Sequence, residues 1–376
     1  MAARAFTALG SQLKEVDLSD VLAGRPEAEA LEALSTLCAA LTEANGVALQ
    51  ALDLSDNALG EKGVRAAAAA LAGQPRLRSL ALQNDGISAH AAQALAELLA
   101  SRGELKELRL YNNMTGCEGA LKLAPLLHSC GGLEHLRIVS SRVGTQGGQA
   151  LCGALAGLSG RSLVRLDLCD NGLGEECGAG LGAVVAHHPR LAQLLLNECG
   201  LCDSGVQQLC AGLVGHAGLL RLELCCNELT AAGARTLAAA LRALPALAAL
   251  RVAENELGDE GTLLLAQALA ASPGDAQQQQ QQQPLLELDF STNELHGAAA
   301  RALAAAAASR RCARLHLNDN ALSAAAVAAV RRTLAQAGGE LGSMEDNDED
   351  GDEEADSEDQ QEDAGPVDLD FSKARI

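Results

Sequence analysis

The chain has 376 residues, 48% of them apolar but only 1% aromatic, with twelve Cys, no Trp and a formal net charge of -21. A sizeable core is possible, but it must be built from Leu, Ala and Val. Scarce rings exclude stacking-based recognition of single-stranded nucleic acid, and the acidic balance excludes a phosphate-backbone binder. No stretch approaches about 18 uninterrupted apolar residues, and the start MAARAFTALGSQLKEV has no signal-peptide core, so an intracellular chain with reduced thiols is expected. Cys199 and Cys202 form a lone CxxC with no second pair at zinc spacing, and no metal is predicted.

Residues 1–12 form a short N-terminal segment. From Leu13 onward a pattern L-x-x-L-x-L-x-x-N-x-L recurs. It begins as the degenerate LKEVDLSDVLA and continues as LQALDLSDNAL, LRSLALQNDGI, LKELRLYNNMT and seven further copies, ending in CARLHLNDNAL. The eleven copies start at 13, 49, 77, 105, 133, 163, 191, 219, 247, 285 and 312, with 28 as the dominant spacing. Positions 4 and 6 alternate inward as a short strand, and the remainder of each unit reads as a helix, for example EKGVRAAAAALAGQP. The predicted fold is therefore an α/β leucine-rich repeat solenoid of ribonuclease-inhibitor type over 13–342, with parallel strands inside and helices outside. Position 9 is Asn in seven copies (Asn57, Asn113, Asn171, Asn227, Asn255, Asn293, Asn320), where an amide can satisfy backbone groups of adjacent turns.

Departures from the rhythm follow the same order along the chain. The first unit is 36 residues long and contains LAGRPEAEALEAL, in which Pro26, Glu27 and Glu29 suit a helix start and hold Arg25 just ahead of it. Asp17, Asp20, Asp53 and Asp56 give the first two copies an acidic edge fit for a basic protein surface. In the third copy Asn84 stands at position 8, at the strand end, and Asp85 occupies the usual Asn position. A run of glutamines, 277–283, reads as an inserted loop. From Ser343 the last 34 residues hold 15 acids against Lys373 and Arg375, leaving -8 for the rest, and 343–376 reads as a disordered acidic tail.

No P-loop, GxSxG or HExxH is present, so the residues alone point to a protein-binding scaffold. The segments LKEVDLSDVLAGRPEAEALEAL, LDLSDNALGEKGVRA, NDGISAHAAQALAELL, YNNMTGCEGALKLA and SRVGTQGGQAL closely resemble the Ran GTPase-activating proteins in their plant and green-algal form. The resemblance runs from about Leu13 to the acidic tail. It implies an accelerator of GTP hydrolysis on the small GTPase Ran that has no self-contained active site and needs no cofactor, because GTP and Mg²⁺ are bound by Ran. It further implies action without an arginine finger, by ordering Ran's own glutamine. The family's important Arg falls on Arg25 and its important Asn on Asn84, with Asp20, Asp53, Asp56, Asn57 and Asp85 expected to meet the partner.

The resemblance also implies Ran-GTP as partner, with or without a Ran-binding accessory protein, and a monomer in a cytoplasmic or perinuclear location is expected. Plant relatives carry an N-terminal targeting domain with a Trp-Pro-Pro motif, and this sequence has no Trp. Envelope targeting is therefore not carried over. The repeat that usually precedes LKEVDLSD is absent as well, so an uncapped N-terminal edge is expected. The competing reading is a non-catalytic scaffold resembling ribonuclease inhibitor, which shares the repeat and abundant Cys but leaves AGRPE and NDGIS unexplained.

Overall fold

A computed structural model describes residues 2–9, 12–43, 49–100, 104–271 and 283–348. The glutamine run up to 282 and the tail from 349 onward lie outside the described residues.

Among the described residues twelve short strands form one parallel sheet in strict chain order. They are β1 (Glu15–Asp17), β2 (Ala51–Asp53), β3 (Ser79–Ala81), β4 (Glu107–Tyr111), β5 (His135–Val139) and β6 (Arg165–Asp167). The series continues with β7 (Gln193–Leu195), β8 (Arg221–Glu223), β9 (Ala249–Arg251), β10 (Glu287–Asp289), β11 (Arg314–His316) and β12 (Glu340–Leu341). The register follows the repeat: Val16 lies beside Leu52, and Leu52 beside Leu80. Positions 4 and 6 of each copy supply the buried row, from Val16 and Leu18 through Leu52 and Leu54 to Leu315 and Leu317. One contiguous core of Leu, Ala, Val and Cys runs the length of the molecule between sheet and helices. Among the described residues only Phe290 is an aromatic member of that buried core, in keeping with the scarcity of rings.

Every Asn at position 9 is buried and joins neighbouring turns. The Asn113 side chain shows the pattern. Its Oδ1 accepts from the Asp85 and Ile87 N–H groups at 3.2 and 3.0 Å, and its Nδ2 donates to the Leu82 carbonyl at 2.7 Å. In two copies that lack Asn, a substitute still donates to the corresponding carbonyl of the preceding turn. Ser141 Oγ reaches Leu110 O at 3.4 Å and Cys199 Sγ reaches Leu168 O at 3.3 Å.

The two ends depart from expectation. The N-terminal edge is covered: helix α1 (Ala2–Leu9) lies against helix α2 (Glu27–Glu43), with Phe6 and Leu13 packed on the core. At the other end the solenoid passes the expected boundary at Gly342 and adds a partial twelfth turn. Met344 packs on the core, Asn318 Nδ2 donates to Asp346 Oδ2 at 2.8 Å, and Asn347 Nδ2 donates to Leu322 O at 2.7 Å. The first acidic residues of the tail thus belong to the last turn, because backbone groups of β11 and its loop needed partners. Among the described residues no helix is long and apolar enough to cross a membrane.

Candidate functional site

Where each strand ends, the chain must turn sharply, and position 8 adopts the left-handed conformation in every copy. Asp20, Asp56, Asn84 and Asn112 have φ of 53, 63, 55 and 49°. Asn and Asp tolerate this region better than other residues with a Cβ, because their short polar side chains bond locally. Each of these N–H groups donates to a carbonyl one turn on: Asp20 to Ser55 at 3.0 Å, Asp56 to Gln83 at 2.8 Å, Asn84 to Tyr111 at 2.9 Å and Asn112 to Val139 at 3.0 Å. The side chains therefore project from a fixed backbone along one rim.

Three of them are joined. Asn84 Nδ2 donates to Asp56 Oδ1 at 2.6 Å, and Asn112 Nδ2 donates to Asn84 Oδ1 at 2.7 Å. All three remain exposed on one edge. The sequence pattern singles out Asn84 and Asp56; Asn112, in YNNMTG, looks there like an ordinary loop amide. Stacking the copies at their 28-residue period would have placed it beside Asn84.

Arg25 arrives at this rim from the enlarged first unit. Gly24 turns the loop with φ +74°, and the Leu22 N–H is held by Asn57 Oδ1 at 2.9 Å. The guanidinium folds back on its own helix, donating to Glu29 Oε1 at 2.9 Å, with its side chain 45% exposed. Between this loop and the turn 56–63 lies a groove of ≈ 730 Å³ lined by Leu22, Gly24, Arg25, Asp56, Asn57 and Lys62, among others. Lys62, which the sequence does not single out, is bonded to Glu27 across the groove, and that hydrogen bond holds its ammonium above the usual range. The structure thus brings Arg25, Asp56 and Asn57 to one groove and ties Asn84 to Asp56. Asp53 sits half-buried on the sheet, accepting from the Ser55 N–H at 2.9 Å. Asp20 is exposed one turn earlier on the same rim.

Two of the expected partner-contacting residues are corrected. Asn57 is only 8% exposed, and its amide binds Leu18 O and Leu54 O at 2.8 and 2.7 Å; it holds the Arg25 loop from beneath. Asp85 is fully buried, so it offers no surface to a partner. Its Oδ1 accepts from the Asn57 N–H at 3.0 Å, while Oδ2 has no hydrogen-bond partner among the described residues. Burial pushes the carboxyl up to about 7, against the hydrogen bonds from the Asn57 and Leu59 N–H groups and helped by the nearby Asp56 and Asp53. The neutral acid has an O–H to offer where the Asn, Ser141 and Cys199 rungs donate; the carboxylate has none.

A second hollow, of ≈ 450 Å³, lies mid-sheet between Arg109, His135, Arg137 and Arg165. Its charges are internally matched: Arg109 pairs with Glu107 at 2.7 Å, Arg165 with Asp167 at 3.2 Å, and Arg137 lies 4.9 Å over the Tyr111 ring. It contains none of the residues expected from sequence.

A Leucine Rich repeat family model matches residues 49–66. The fold is similar to a chain in the crystal structure of the Rad7 and Elc1 complex in yeast, with a TM-score of 0.54 at 18% identity, covering 92% of this chain and 76% of that one. The chain has the fold of a leucine-rich repeat solenoid. Part of it is similar to RAN GTPase-activating protein 1 of Arabidopsis thaliana, 53% identical over 73 residues. It is likewise 59% identical over 66 residues to RAN GTPase-activating protein 2 of the same plant. Those matches span 19% and 18% of this chain but only 13% and 12% of the two relatives. The repeat protein is thus related to these activators over a limited segment, and the likeness to the yeast chain supports the fold alone.

Proposed function

We propose that this chain stimulates GTP hydrolysis by the small GTPase Ran, docking through the rim around Arg25, Asp56 and Asn84. GTP, Mg²⁺ and the catalytic glutamine belong to Ran; the chain supplies an ordered surface that holds the glutamine where it positions the attacking water. Asn84 is the group assigned to that contact. The observation that carries the reading is its exposed carboxamide, tethered at both ends beside the Arg25 groove. The local likeness to RAN GTPase-activating proteins supplies the partner. Arg25 has its guanidinium bonded back to Glu29 rather than extended, so its assigned role is to anchor the interface and not to serve as a finger.

The test is single-turnover hydrolysis of Ran-bound GTP with and without the full chain. Activators of GTPases supply about 10³–10⁵ in rate, and an acceleration of that order is expected. No acceleration at saturating chain overturns the proposal. Binding to Ran without acceleration would identify a scaffold instead.

A further inference from the structure

We propose that Asp56 and Asn112 are positioning residues that fix which way round Asn84 presents its carboxamide, and through it the orientation of the glutamine amide it engages. This rests on the Ran reading above. A carboxamide has two ends of opposite hydrogen-bonding sense that nearly superpose on rotation by half a turn, so holding it in place is not the same as holding it the right way round.

The rim settles both. The Asp56 carboxylate only accepts, so the end of Asn84 facing it, 2.6 Å away, must be the NH₂. The opposite end is then the oxygen, and it accepts from Asn112 Nδ2 at 2.7 Å. Polarity is imposed from one end by a charge and passed along the row. The backbones cannot drift, because all three residues are held at φ 63, 55 and 49° by N–H bonds into the next turn. One N–H and one lone pair of Asn84 remain for a partner, each on a defined side. Where a position-8 pair recurs, between Thr292 Oγ1 and Asp319 Oδ2 at 3.0 Å, a rotating hydroxyl imposes no such direction on a third residue.

A pair of exchanges separates positioning from simple support. In the double variant Asp56→Asn with Asn112→Asp the charge moves to the other end of the row. Both hydrogen bonds can still form, the net charge is unchanged, and Asn84 must sit reversed. The glutamine it contacts is then matched with its oxygen and nitrogen exchanged, which misdirects the attacking water. We expect thermal stability close to that of the unmodified protein and at least a tenfold loss in single-turnover rate at saturating chain. Asn112→Asp alone, which sets a carboxylate against the Asn84 oxygen, should also lose rate. Asp56→Asn alone, which lets the amide take either direction, should lose less than the double exchange.

Retention of rate within twofold by the folded double variant, with the unmodified chain active, overturns the proposal. An unmodified chain that fails to accelerate Ran overturns the Ran reading itself. The tether is read independently by the side-chain amide resonances of Asn84 in the chain alone. Slow hydrogen exchange that becomes fast in Asp56→Ala supports the relay, and exchange as fast as that of an untethered surface Asn refutes it.

Discussion

The rim of the first four repeats and the rim of the last six share one backbone and carry different chemistry. Asp170, Glu198, Cys226, Glu254, Thr292 and Asp319 have φ between 51 and 56°, like Asp56 and Asn84. The N–H groups of the first five donate onward in the same way, Glu198 to Cys225 at 2.9 Å and Glu254 to Ser291 at 2.9 Å. Yet among the described residues only the N-terminal part combines a joined Asp56–Asn84–Asn112 row with an enlarged unit that brings Arg25 alongside. The repeat fixes where a position-8 side chain points, and the departures from the repeat decide what it can do there.

Equivalent substitutions at the two ends sharpen that contrast. The largest effect is expected at Asn84. An interaction made chiefly in the transition state lowers turnover more than binding. Asn84→Ala should therefore cost on the order of 10²–10³ in maximal hydrolysis, about 3–4 kcal/mol of barrier, with Ran affinity within a few-fold. Glu254→Ala, at the same repeat position with the same φ, should leave rate and affinity unchanged. Single-turnover rates at saturating chain, on variants with unchanged circular dichroism, make the comparison. A comparable loss at both positions would mean that the rim matters only as scaffold.

The ladder beneath the rim differs between the two regions as well. Asp85 fills a rung that is Asn255 farther along, where Nδ2 donates to Leu224 O and Val252 O at 3.0 and 2.9 Å. With its folded value raised to about 7 from an ordinary 3.8, the native state binds the proton more tightly than the unfolded chain does. The stability contributed is complete at pH values below about 4 and is lost as pH rises through 7. At one pKa unit per about 1.4 kcal/mol, the cost at pH 8 is on the order of a few kcal/mol. Asp85→Asn should therefore raise Tm at pH 8, with a gain that shrinks toward pH 5. Asn255→Asp should do the reverse, losing more as pH rises. A pH-independent difference in thermal melts of Asp85→Asn would show that the carboxyl is ionised in place.

Much of this was legible in the residues. Leu at positions 4 and 6 dictated the strands, and the seven Asn at position 9 announced the ladder. The replacement of Asn by Asp at 85 was visible too. Its burial was not, because an acid at that position reads as surface until the neighbouring turns close over it. The Asp56–Asn84–Asn112 row joins residues 28 apart, which a linear reading scores as three unrelated loop residues. The Arg25 groove depends on how a 36-residue unit seats against a 28-residue one, which spacing alone does not give. The partial twelfth turn was hidden because GELGSMEDN keeps only Leu341 of the pattern's leucines and its acids resemble the tail.

Arg25 provides a smaller and more selective contrast. Its pair with Glu29 is exposed, 45% and 60%, and such i,i+4 pairs contribute about 0.3–0.5 kcal/mol. Arg25→Ala should leave the melt nearly unchanged and weaken Ran binding about tenfold, about 1.4 kcal/mol, with hydrolysis restored at saturation. Arg235 makes a similar exposed pair with Glu260, at 2.8 Å, far along the chain. Arg235→Ala should change neither quantity, and a matching loss of affinity there would move the docking surface off the N-terminal rim.

The smallest effect concerns the far end, where the partial turn is the counterpart of helix α1 as an edge cover. Cutting after Gly342 removes Met344 from the core and frees the hydrogen bonds that Asp346 and Asn347 make with Asn318 and Leu322. Cutting after Asp348 keeps them. These bonds are partly exposed, so their net worth is at the low end of the usual range and together with Met344 amounts to about 1–2 kcal/mol. For a protein of this size each kcal/mol moves Tm by about 2–4 °C. The shorter protein should accordingly melt a few degrees below the longer one, while both activate Ran equally, because the rim lies at the opposite end of a solenoid whose turns contact chiefly their neighbours. Equal melting temperatures would show that the last turn is held but stabilises nothing. A loss of activation confined to the shorter protein would couple the two ends and dissolve the contrast between them.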